Sequence, residues 1–90
     1  MGHCQDTEKL HARFKKIIGQ IQAIERMIDD DAPCEDILTQ ISAVKSAVNK
    51  AGQIILEGHI RHCMREAFEN DDEKMLDDFA KAIERFSNMQ

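Results

Sequence analysis

Ninety residues carrying a formal net charge of −5 leave room for one small domain, and a chain this short buries so little of its own surface that a second copy is the first place to look for more core. With 42% hydrophobic content but only 4% aromatic, no Trp or Tyr and a single Pro, the composition excludes a sheet built on aromatic and β-branched pairs and predicts an all-α fold. No run of eighteen apolar residues and no apolar signal core are present, which excludes a membrane partner and predicts a cytoplasmic protein, where three cysteines point to metal or redox chemistry rather than a disulfide framework.

Residues 1–5 (MGHCQ) have no pattern and are read as a flexible tail, with His3 and Cys4 as candidate extra ligands; residues 6–90 are read as one helical domain. The first helix is predicted to start at Asp6 or Thr7, either of which can cap free N–H groups, and to run to about Asp29. Leu10, Phe14, Ile17, Ile21, Ile24 and Ile28 follow one another at steps of 4, 3, 4, 3 and 4, the spacing of a bundle stripe. Lys9, Arg13, Lys16 and Gln20 cluster within roughly 60° on the same wheel, centred about 90° from that stripe, and make a basic flank. This flank is notable in an acidic chain: the acids concentrate between Glu66 and Asp78, seven against the single base Lys74. On pattern alone, a solvated charged face and a nucleic-acid surface both account for it.

Asp29 to Pro33 is predicted to end the first helix and begin the second, with Pro33 at the first helical position and Asp31 or Ala32 as the cap. Cys34 then falls in the first turn, where unpaired N–H groups and the macrodipole favour an anion. The second helix carries Ile37, Ile41, Val44, Val48, Ala51 and Ile55 at the same spacing and is expected to run unbroken through Cys63 to about Phe68, with Gly52 and Gly58 as weak points of about 1 kcal/mol each. After a short turn at residues 69–72, a third helix is predicted with Leu76, Phe79, Ile83 and Phe86 as its stripe.

Three groups on the second helix carry chemistry. His59 and Cys63 are four apart, so on an α-helix they lie one above the other and can chelate one ion. Cys34 falls within roughly 40° of both on an ideal wheel, yet a continuous helix puts it about 44 Å from Cys63. An antiparallel symmetry mate, its two-fold axis near Ala47 and Val48, brings Cys34 of one chain opposite His59 and Cys63 of the other. Two thiolates and an imidazole form a soft, three-coordinate set suited to Cu(I), whereas Zn²⁺ ordinarily takes a fourth ligand. Two buried thiols and a satisfied histidine remain the plain alternative; His62, also facing the stripe, is a candidate supporting group. No acid/base pair or oriented nucleophile suggests an enzyme.

Three stretches, RFKKIIGQIQAIERMI (Arg13 to Ile28), CEDILTQISAVKSAVNKAG (Cys34 to Gly52) and GHIRHC (Gly58 to Cys63), together resemble the copper-sensitive operon repressors, the CsoR/RcnR-type bacterial regulators. The resemblance runs from about Leu10 to the end. It implies a three-helix protomer, an antiparallel four-helix dimer built from the first two helices, and a homotetramer of two such dimers that binds operator DNA without metal and releases it on inducer binding. The DNA-binding role carries over to Arg13 and Lys50, with Lys9 and Lys16 as helpers. The ligand set Cys34, His59 and Cys63 looks like that of the Cu(I) sensors. Nickel/cobalt sensors add an N-terminal histidine, and His3 keeps that branch open. Persulfide sensors generally lack the histidine and formaldehyde sensors the second thiol, so His59 and Cys63 disfavour them, yet a persulfide or thiol sensor on the same scaffold, in which Cys34 attacks and Cys63 resolves, stays the first rival. Pro33 stands where some copper sensors place a supporting Tyr. A helical copper buffer that never touches DNA is the rival of another class.

Overall fold

The computed structural model of the chain describes residues 6–88, apart from the side chains of Cys63 and Asn88. The expected tail at 1–5, with His3 and Cys4, lies outside the described residues. Four α-helical stretches follow in order: α1 (Thr7–Asp29), α2 (Cys34–Gly58), α3 (Arg65–Glu69) and α4 (Glu73–Asn88), with a π-helical segment, His59–Met64, between α2 and α3. No strand occurs among the described residues. Because α2, the π segment and α3 succeed one another without a turn, they form the single long second helix of an all-α, three-helix chain. These residues divide into two compact units, Thr7–Ala51 and the chain from Gly52 onward, with Asp6 grouped in the latter.

In the first unit, α1 ends in a Schellman turn. Asp31 N–H donates to the Ile28 carbonyl (3.2 Å) and Ala32 N–H to that of Met27 (2.9 Å), satisfying carbonyls that the helix end leaves open. The turn requires a left-handed residue, and Asp31 supplies it at φ 58° where glycine is the usual choice. Since Asp31 and Ala32 are committed to this turn, neither can cap α2. Pro33 does so instead: its carbonyl accepts from Asp36 (3.0 Å) and Ile37 (3.2 Å). Pro33 is thus the cap rather than the first helical residue, and Cys34 takes that first position. Ile17 and Ala51 are buried, but Phe14, Ile21, Ile28, Ile41 and Val48 stay exposed, so the periodic stripes of both helices are only half covered within one chain. Gln20, assigned by the wheel to the solvated flank, is half-buried and its Oε1 has no hydrogen-bond partner.

The second unit departs from the expected unbroken α-helix. His59 and Met64 are both buried, at 7% and 6% exposure, although residues five apart face about 140° away from each other on an α-helix. The i→i+5 bonding of a π segment brings such a pair to one side. By taking up one extra residue, it lets the buried face continue from His59 to Met64 and Ala67, where an unbroken α-helix would turn Glu66 inward. A second Schellman turn closes α3: Asp71 N–H donates to Phe68 (3.3 Å) and Asp72 N–H to Ala67 (2.9 Å), with Asp71 at φ 53°. Asp72 then caps α4, its Oδ1 accepting the Met75 N–H at 3.0 Å.

Returning along the end of α2, α4 pairs Phe86 with Gly52 and Phe79 with His59. A Cβ on Gly52 would stand 2.5 and 2.6 Å from two carbons of the Phe86 ring. Read from sequence as a weak point, Gly52 is the notch that admits this ring.

Candidate metal centre

Cys34, the first residue of α2, is exposed and free. His59 is the first residue beyond the other end of the 25-residue α2, and it belongs to the second unit whereas Cys34 belongs to the first. Cys63 follows four residues after His59 within the π segment, whose wider turn keeps residues four and five apart adjacent. Its side chain is outside the described set. Among the described residues no three His, Cys, Asp or Glu side chains form a group able to hold a metal ion. His62, expected to face the stripe, is exposed, because the π segment re-phases the rod at this point.

The setting of His59 is the informative one. Its ring sits 4.4 Å, centroid to centroid, from that of Phe79, tilted by 47°. Both line an apolar groove of about 690 Å³ between the end of α2 and α4, walled by Ile55, Leu56, Ala82, Ile83 and Phe86, with Asp72, Lys74 and Asp78 also on its lining. Burial penalises the imidazolium and pushes the pKa of His59 below its ordinary 6.5. A neutral imidazole keeps the lone pair that a metal requires, and a free thiol at Cys34 is a soft donor. The donor chemistry of the described residues therefore fits a soft ion.

The basic candidates Lys9, Arg13, Lys16 and Lys50 are exposed, and all belong to the unit Thr7–Ala51. Lys9, Arg13 and Lys16 stay exposed, whereas Gln20, placed with them by the wheel, is half-buried. Sequence reasoning missed the role of Phe79. A signal existed: Phe79 and Phe86 are seven apart, as are Gly52 and His59, the match required for two antiparallel helices to meet at both places.

A family model described as a metal-sensitive transcriptional repressor matches residues 6–85. The chain belongs to this family. It is 32% identical over 84 residues to the copper-sensing transcriptional repressor CsoR of Bacillus subtilis, covering 92% of this chain and 83% of that protein. The Cu(I)-bound copper-sensing repressor CsoR of Geobacillus thermodenitrificans matches its structure with a TM-score of 0.84 at 36% identity, over 89% of this chain and 84% of the other. The nickel-responsive transcriptional regulator InrS matches at a TM-score of 0.80 and 29% identity, over 91% and 93%. Like these relatives, the metal-sensitive repressor described here is a regulator and not an enzyme. Among the described residues no helix is long and apolar enough to cross a membrane.

Proposed function

We propose that the chain is a cytoplasmic Cu(I)-responsive repressor that binds operator DNA without metal and leaves it when Cu(I) binds. Cys34 of one subunit, with His59 and Cys63 of another, would hold the ion. The observation that carries this reading is the environment of His59: a buried imidazole whose pKa burial lowers, with a cysteine four residues on in the sequence and the third candidate donor, Cys34, at the start of α2. A Cu(I)-bound relative of 36% identity supports the choice of ion.

The three donors need two chains, and the open apolar surface of the first unit supports such an association. In the first unit, Phe14, Ile21, Ile28, Ile41 and Val48 form an uncovered apolar face, and a side chain of this kind contributes roughly 1.5–3 kcal/mol when fully buried. An antiparallel copy about an axis near Val48 would cover that face and could supply a donor to the Gln20 Oε1. Two such dimers make the proposed homotetramer, within which residues 6–90 act as one domain. Exposed Arg13 and Lys50, helped by Lys9 and Lys16, would neutralise operator phosphates, a contribution that weakens steeply with salt.

A second reading, nickel sensing, is favoured by the match to InrS. Titration of the metal-free protein with Cu(I) and with Ni(II) separates them. One tight Cu(I) per subunit, weakened at least about 100-fold by His59→Ala and by Cys34→Ser, is the expected result; tight Ni(II) binding with weak Cu(I) binding would sink the copper reading.

A further inference from the structure

The geometry points to Phe79 as a positioning residue that clasps His59 in the metal-free protein, so that α4 must loosen from α2 when His59 takes a metal. This inference rests on the reading of His59 as a ligand. Three observations carry it. His59 is only 7% exposed, so it offers almost no surface to donors from another chain while the Phe79 ring, 4.4 Å away, covers it. None of the described side chains of α4 is buried; Met75, Leu76, Phe79, Ile83 and Phe86 are all half-exposed, so α4 lacks the buried anchor that Ala67 gives α3 and is held by partly covered contacts. The groove of about 690 Å³ beneath the pair leaves space on the apolar side rather than a filled core, so the contact can part without unpacking the rod that carries His59.

Phe79 and metal thus compete for one imidazole. Each weakens the other by the same factor, as linkage requires. Phe86 in the Gly52 notch is the second anchor, one heptad away, and it keeps α4 tethered when the Phe79 contact opens. Metal uptake at one end of α2 is thereby converted into movement of a separate helix, which is what a sensor needs from its ligand.

The test combines metal affinity with hydrogen exchange of the α4 amides in wild type, Phe79→Ala and Phe79→Leu. Competition with a chromogenic chelator should show Cu(I) bound about two- to tenfold more tightly by Phe79→Ala than by wild type, the range an aromatic contact supplies, with Phe79→Leu between them. Damage to the fold would weaken binding instead. Metal-free wild type should exchange its α4 amides more slowly than Phe79→Ala, and one equivalent of Cu(I) should erase that difference. In NMR spectra of the metal-free protein, Phe79→Leu should remove the ring-current shift on the His59 ring protons. Cu(I) binding that leaves α4 exchange unchanged, or a Phe79→Ala affinity equal to or below wild type, overturns the clasp while sparing the copper reading. If wild type takes up Ni(II) and not Cu(I), the copper reading falls and the same readouts with Ni(II) judge the clasp; uptake of neither overturns both.

Discussion

The two units of the chain solve opposite problems. From Thr7 to Ala51, apolar stripes are left largely open and basic side chains are exposed, so this unit is built of surfaces that await something. From Gly52 onward the chain carries the acidic cluster and, although Ile55, Ile60 and Phe68 stay exposed, buries His59, Met64 and Ala67, and that burial lowers the pKa of His59. The contrast teaches where each role can reside. On the proposed function, a surface for a second copy and for DNA must be exposed before use, whereas an imidazole that takes a metal gains from being held neutral until the metal arrives.

The largest expected effect breaks the open side. Val48→Asp puts a charge at the proposed two-fold axis, and an unpaired charge there should raise the dissociation constant of the dimer by at least about 100-fold, on the order of 3 kcal/mol. Sedimentation velocity would show monomer where wild type is associated. Arg13→Ala comes next. It should lower operator affinity about tenfold and reduce the salt slope by about one, with the oligomer unchanged.

The enclosed side is probed by pH in the metal-free protein. The folded-state pKa of His59 lies below the unfolded value near 6.5, so the unfolded chain binds more protons between the two values. Stability is therefore full above about pH 6.5 and falls as the pH drops toward the folded pKa, levelling off beneath it. Thermal unfolding should show this decline in wild type, and His59→Leu should lack its share of it. The smallest effect is common to both units. Asp31→Gly and Asp71→Gly each replace a left-handed non-glycine residue in a Schellman turn and should stabilise by about 0.5–1 kcal/mol, seen as a rise of a few degrees in Tm.

Much of this was legible in the sequence, for reasons that can be named. The steps of 4 and 3 in α1 and α2 located both helices, and Asp29 to Pro33 located the turn, because periodicity and turn chemistry are local. Helical distance alone separated Cys34 from His59. What escaped depended on tertiary context. The π segment exists because Met64 and Ala67, not Glu66, have to meet the same interior as His59, and no local signal fixes that phase. Pro33 became a cap because the Schellman turn had claimed Asp31 and Ala32, a competition between neighbouring motifs that propensity does not rank. Phe79 was visible as one member of a stripe, and its spacing to Phe86 matched that of His59 to Gly52, but only the antiparallel return of α4 fixes which residues pair.

Operator binding by fluorescence anisotropy, with labelled duplexes from the chain's own promoter region, tests the central claim most directly. Metal-free protein should bind in the nanomolar range usual for specific sites, one Cu(I) per subunit should release the DNA, and His59→Ala should bind equally well yet fail to release. Release by Ni(II) but not by Cu(I), or Cu(I)-driven release that survives in His59→Ala, would contradict the account.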